Sequence, residues 1–415
     1  MLASTFSRAI KGGNPRTTRV TIVHTITLLN LRGSEFWVMD VSNLLRDESL
    51  EVKIVNFDYA PMFPITSEEI TIRTSVVNST VGGGVSLVRL SALRLRLPLR
   101  RLWRGTFVEA TSDRYFHFLP FSRRFLRLLR NSDVIYFVLS QGNPVYLIVV
   151  LGMSFLAGCK PVVAGVHVRP RVRPSELTLL RIAARFGILK AIHIVKKSQE
   201  SELSRVGCRI EYIPNGVYYN KFYSDVENKR KQDRFVVLFV GAMTHVKGAD
   251  LLPEIYQSLK SRGIQFVLVI CTSGGELTHK IRDWSNGKPD VQFKGFVERA
   301  ELSRLYAQAS VAVFPSRREE FPLACLEAQA SGTPVLVADL PGLRQVVVNR
   351  VNGVIAEGQN AESYGKGIDE IYSLWMSKRQ DYVNMCRKAQ ENVRDNFQWS
   401  MVAKRIVNLL QTSLK

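Results

Sequence analysis

Acids are scarce in this chain. It carries 57 Lys+Arg against 36 Asp+Glu, for a formal net charge of +21. The deficit is uneven: residues 1–220 run at +15 and the remainder at +6. That asymmetry points to an anionic partner for the first half. Cysteines number only five, scattered and without a C-x-x-C pair, which excludes a disulfide framework and a zinc ribbon and suits reduced thiols in the cytosol. The longest apolar run, Val145–Ala157, is too short to span a bilayer. The N-terminus, MLASTFSRAIKGGNPR, is basic but has no apolar stretch of the kind a signal peptide needs. Low-complexity tracts are absent, and 46% hydrophobic with 22% charged residues is globular composition.

At 415 residues the chain exceeds one ordinary core, so two domains are expected. Apolar β-branched runs alternate with helical patterns, as parallel α/β sheets require. Arg19–His24, Val52–Val55, Val134–Leu139, Val162–Val166, Ile192–Val195 and Glu211–Ile213 read as strands. Glu35–Leu45, Pro144–Leu156 and Leu177–Phe186 read as helices. The polar, charged segment Tyr218–Arg234 reads as a linker. A second α/β series begins at Phe235, with a helix over Lys247–Arg262 and three helices closing the chain. The predicted organisation is a first Rossmann-like domain over 1–217, a linker over 218–234, a second Rossmann-like domain over 235–396 and a terminal helix over 397–415 that returns to the first domain. Residues of interest fall at strand ends, where such sheets bind ligands: His24, Gly33, His167, Gly241 and Ser316–Glu319.

The densest local signal is Pro315–Pro334, PSRREEFPLACLEAQASGTP. It sets Glu319 and Glu327 eight positions apart across a loop that runs into a helix. Pro322 suits the first helical position, and Gly332 ends the run. The unpaired N–H groups of a helix start attract phosphate. An acid on each side of such a cradle suits a phosphorylated, hydroxyl-rich ligand such as a nucleotide sugar.

Taken with its surroundings, this stretch resembles the retaining glycosyltransferases of family 4, which have the GT-B fold of two Rossmann-like domains facing each other across a cleft. The resemblance rests on FVGAMTHVKGADLL, VQFKGFVERAELSRLYAQASVAVFPS, the E-x7-E motif REEFPLACLEAQASGTPVLVAD in its Phe-Pro form, LPGLRQVVVNRVNG and, before them, YIPNGV. It implies that Glu319 contacts donor-sugar hydroxyls and Glu327 the ribose. It places Phe321, the N–H groups of Leu323 and Ala324, and Gly241 in the donor site. Lys247 would stabilise the leaving diphosphate, and Gly33 would let backbone approach the ligand. His167 would stand near the reacting sugar. Where the family often has arginine after the strand-end glycine, this chain has Ala242, leaving Lys247, Arg317 or Arg318 to meet the charge. Glu320 stands where glycine is common, and Tyr218 where aspartate is common.

No D-x-D occurs. Helix N–H groups and Lys247 would then do the work that a divalent cation does in transferases of the other main fold, and no cofactor or metal is expected. The expected activity is transfer of a hexose, with retention, from a UDP-, GDP- or ADP-sugar to a lipid-linked or saccharide acceptor. The competing readings are another GT-B enzyme, such as a sugar-nucleotide epimerase, and a non-catalytic scaffold. In the first half, Leu87–Arg104 and Phe121–Arg130 place ten arginines among leucines with no acid. Such basic amphipathic stretches suit attachment to an anionic membrane from the cytoplasmic side. No nucleic-acid recognition motif is present.

Overall fold

The computed structural model describes residues 18–24, 41, 44–45, 50–58, 86–91, 93–95, 116–118, 123–139, 144–167, 172, 174–230, 232–319 and 321–414. Two compact units emerge. The first comprises Met1–His193, Leu203–Glu211 and Ala403–Lys415; the second comprises Ile194–Glu202 and Tyr212–Val402.

In the first unit the strands are β1 (Arg19–His24), β2 (Glu51–Asp58), β3 (Ser86–Ser91), β4 (Leu93–Leu95), β5 (Phe116–Phe118), β6 (Val134–Leu139), β7 (Val162–Val166), β8 (Leu189–Ile194) and β9 (Arg209–Tyr212). Seven form one sheet in the order β3-β2-β1-β6-β7-β8-β9, and β4 with β5 makes a separate antiparallel pair. The pairs β1–β2, β2–β3, β1–β6 and β6–β7 are all parallel. β6 and β7 are buried along their whole length, so they read as unbroken apolar runs rather than alternating ones. The Arg-rich stretch Leu87–Arg104 was read as amphipathic, yet its described part lies in β3 and β4. Its alternation of Arg with Leu fits a period of two as well as a helical one. Arg123–Arg130 is a helix.

The second unit holds β10 (Val236–Val240), β11 (Val267–Cys271), β12 (Val291–Gly295), β13 (Val311–Phe314), β14 (Val335–Val337) and β15 (Gly353–Ile355). Their order, β12-β11-β10-β13-β14-β15, is fully parallel. Connections run outward in one direction from β10 and in the other from β13. The sheet therefore opens a crevice beyond the C-terminal ends of those two strands, the usual ligand position of a doubly wound fold.

Tyr218–Arg234 is not a free linker: it is packed into the second unit. Phe222 and Val226 join its core, and Lys229 is fully buried. The Lys229 ammonium donates to the carbonyls of Tyr306, Ala307 and Ala309 and to Thr333 Oγ1, at 2.6–3.0 Å. Gln232 donates to the carbonyls of Ala307 and Gln308. The segment is polar because it caps the carbonyls that end the helix Arg299–Gln308.

Candidate active site

The loop after β10 is built to hold Lys247. Gly241 N–H donates to the Cys271 carbonyl, and Met243 N–H to that of Gly274. Gly275, at φ +148°, lies so close that an added Cβ would stand 2.4 Å from the Met243 carbonyl oxygen. Thr244 then caps a short 3₁₀ turn, His245–Lys247, its Oγ1 accepting from the Lys247 N–H. Gly248 ends that turn at φ +69°, and a Cβ there would fall 2.0 Å from the Pro315 carbonyl oxygen. Only glycine allows this turn to lie against the loop that leaves β13. The helix expected over Lys247–Arg262 therefore starts late, at Leu252–Ser261, after a second 3₁₀ turn at Ala249–Leu251. Gly248→Ala is expected to destabilise the second unit by about 3 kcal/mol or more, combining left-handed strain with a backbone clash. Denaturant unfolding would measure it.

That packing brings two of the sequence-predicted residues together. Lys247 Nζ stands 2.6 Å from Glu319 Oε2, and both sit at the switch point between β10 and β13. Arg317 is tied down in the same loop. Its N–H donates to the Val246 carbonyl, and its guanidinium donates to the His245 carbonyl and both Asp250 carboxylate oxygens. Burial alone would raise the Asp250 pKa, but these Arg317 bonds hold it below the usual carboxylate range. Arg317 thus braces the loop, its guanidinium already paired with Asp250. Arg318 is exposed.

Glu327 projects from the second turn of the helix Leu323–Ala330. It faces Tyr306 Oη at 3.5 Å and Arg299 Nη2 at 3.8 Å. Tyr306 is fully buried; burial, then the Glu327 charge, push its phenol pKa well up, so it stays a neutral donor. Pro322 sits at the cap, one residue before the first helical position. The Leu323 N–H donates to the Phe321 carbonyl at 3.2 Å, so its expected role toward phosphate requires that tight turn to open. Ala324 occupies the following position, and Phe321 is buried, with its ring 6.1 Å from that of Phe397.

In the first unit, His167 immediately follows β7 and is buried. Its Nε2 lies 3.0 Å from Tyr136 Oη, and the same hydroxyl lies 2.5 Å from His193 Nδ1. The two imidazoles meet edge to face at 4.9 Å. One phenolic proton serves two ring nitrogens, so Tyr136 can donate to only one of them and must accept from the other. The tautomers of His167 and His193 are thereby coupled. Gly165 makes room: a Cβ there would stand 2.3 Å from Tyr136 Oη and 2.7 Å from His167 Nε2. Sequence reading singles out His167 but not Tyr136 and His193, which sit inside strands and carry no motif. Tyr136→Phe is expected to shift the ¹⁵N resonances of His167 and His193, among only six histidines, with little loss of fold. Identical imidazole spectra would contradict the coupling. Gly33 and the side chain of His24 lie outside the described residues.

Residues 221–394 match the family described as "Glycosyl transferases group 1". The second unit is a group 1 glycosyl transferase domain. An uncharacterized glycosyltransferase of Methanocaldococcus jannaschii is 31% identical over 188 residues, covering 45% of this chain and 47% of the relative. A D-inositol 3-phosphate glycosyltransferase of Catenulispora acidiphila is 34% identical over 148 residues, 33% of this chain and 35% of that one. The chain thus matches under half the length of these curated relatives. An Anabaena protein solved in complex with UDP and glucose aligns with a TM-score of 0.66 at 16% identity, over 95% of this chain and all of that one. At that identity the likeness speaks to fold, and the fold is GT-B, two parallel-sheet α/β domains.

Proposed function

We propose that the chain is a retaining hexosyltransferase that uses a nucleoside diphosphate sugar without a metal ion. The observation that carries this is the Lys247–Glu319 pair at the switch point of a group 1 glycosyl transferase domain. It sets a cation for the leaving diphosphate beside a carboxylate for sugar hydroxyls. At 2.6 Å the two groups neutralise each other. A bound diphosphate competes for Lys247 and frees Glu319 to accept from the sugar. Glu327, four residues into its helix, accepts from the ribose diol, and Ala324 lies at the helix start that meets the phosphates. Lys247 stabilises negative charge as the glycosidic bond to phosphate breaks. The acceptor attacks from the face the diphosphate leaves, which keeps the anomeric configuration.

The first unit is proposed to hold the acceptor, a saccharide or a lipid-linked sugar, with His167 as its candidate catalytic group. Its excess of cations suits peripheral attachment to an anionic cytoplasmic membrane. Among the described residues no helix is long and apolar enough to cross a membrane.

The relative solved with UDP and glucose makes UDP-glucose the first donor to try. Hydrolysis or transfer followed by ¹H NMR reads the anomer directly; an inverted product would overturn retention. Turnover is expected to be unchanged by EDTA, and a loss restored by Mg²⁺ would remove the metal-independent reading. Tight nucleotide binding without any turnover would favour a non-catalytic scaffold, and sugar isomerisation without transfer an epimerase.

A further inference from the structure

Among its described positions, the outward face of the helix Pro144–Leu156 has no polar side chain to give to water. From Pro144 to Cys159 the sequence holds no charged residue. Among its described positions, Ile148, Phe155 and Leu156 are nevertheless half exposed or more, with Phe155 at 61%. An ordinary surface helix buries one stripe and turns a charged one outward; this one is apolar on both. The helix packs on Arg123–Arg130 on one side and on Pro174–Arg185 on the other. The latter adds Ile182 and, just beyond its end, Phe186 at 74% exposure. Large apolar side chains exposed on neighbouring helices mark an interaction surface.

The exposed charges on these three helices have one sign. Exposed cations flank it: Arg127 and Arg130 on the first helix, Arg181 and Arg185 on the third. From Arg123 to Arg185 the sequence holds ten Lys+Arg and two acids. Of those acids, Glu176 is buried and Asp133 is engaged by the Arg19 guanidinium. No described acid in these helices is left to face outward. An apolar centre with a cationic border complements a lipid surface whose acyl layer takes the aromatics and whose headgroups carry negative charge. A protein partner would need acids set around an apolar knob, and a second copy of this chain would bring the same cations against these.

We propose that the three-helix face formed by Arg123–Arg130, Pro144–Leu156 and Pro174–Arg185 seats the chain on an anionic membrane. Phe155, Leu156, Ile182 and Phe186 insert, and Arg127, Arg130, Arg181 and Arg185 meet headgroups. This surface deepens the membrane attachment proposed above and rests on it, taking in Arg123–Arg130 but not Leu87–Arg104; its binding requires neither donor nor turnover, so it stands or fails apart from the catalytic reading.

The test is cosedimentation of the full chain with phosphatidylglycerol-containing vesicles and with pure phosphatidylcholine. Binding is expected to the first and at least ten-fold weaker to the second, and to weaken as salt rises. The double substitution Phe155→Ser/Phe186→Ser is expected to reduce anionic-vesicle binding at least ten-fold at an unchanged melting temperature. Arg127→Gln/Arg181→Gln is expected to erase most of the preference for anionic lipid. Full binding by the Phe155→Ser/Phe186→Ser protein would overturn the proposal and move the membrane contact to other cations. A concentration-dependent dimer dissolved by the same double substitution, without vesicle binding, would make this face a contact between copies and would overturn it too.

Discussion

Turnover by Lys247→Met protein should fall by about 10²–10³-fold, the usual cost of removing one donor that stabilises developing charge. Three local devices hold Lys247 in place: the Thr244 cap, the left-handed Gly248 and the seat of the turn against Pro315. Its partner Glu319 holds it at 2.6 Å. Lys247 is a third exposed, so the ion pair itself adds little to stability, about 1 kcal/mol at most. Fold and function are thus separable here. The melting temperature should barely move while kcat drops. Glu319→Gln keeps the shape of the side chain but loses the charge; it should weaken donor sugar recognition and leave free nucleoside diphosphate binding largely intact. Isothermal titration with UDP and with UDP-glucose measures both. Wild-type turnover in Lys247→Met protein would remove the lysine from the leaving-group role. Equal affinity of Glu319→Gln for the sugar nucleotide would remove the acid from the sugar.

The second large effect concerns stability. Lys229→Met is expected to destabilise the second unit by about 3 kcal/mol, since it strips donors from buried carbonyls. For a unit of this size that is roughly a 10 °C fall in melting temperature. The four oxygens around Nζ favour the ammonium, whereas burial works against it and pulls the Lys229 pKa down to about 7. The folded pKa lies below that of an unfolded lysine, about 10.4. Between those values the unfolded chain binds the extra proton, so stability rises with pH from about 7 toward 10. The gain cannot exceed about 1.4 kcal/mol per pH unit. Urea unfolding at pH 7, 8 and 9 should show that rise in wild type and lose it in Lys229→Met. Parallel pH profiles of the two proteins would show that the Lys229 pKa is unshifted.

Lys229 also shows where sequence reading stops. Tyr218–Arg234 has the composition of a solvated connector, and nothing in one dimension reveals that its polar groups end a helix about 80 residues on. The apolar parallel strands were legible, because burial on both faces leaves an unbroken β-branched run. The Glu319–Glu327 spacing was legible, because loop, helix start and glycine stop are all local. The Lys247–Glu319 contact was not, since it depends on Gly248 after β10 touching Pro315 after β13, with β11 and β12 between them in sequence. The pairing of Arg317 with Asp250 was not legible either, since it joins two loops 67 residues apart. Tyr136 and His193 were invisible for the same reason: a hydroxyl inside an apolar strand has no partner until the sheet forms.

One feature of the second unit governs when it can be finished. Val217 N–H donates to the Phe397 carbonyl, and Trp399 N–H donates back to Val217. Gly216 lies against the Trp399 ring, where a Cβ would stand 2.7 Å from the indole. The point where the chain comes into the unit is thus stitched to the point where it goes out, some 180 residues later. During synthesis the six-stranded sheet can be complete while its seam stays open, because the second edge of the seam is translated last. Until Trp399 leaves the ribosome, the flat face of Gly216 is an unfilled slot, and a nascent unit paused before that residue is one that chaperones would find unsealed.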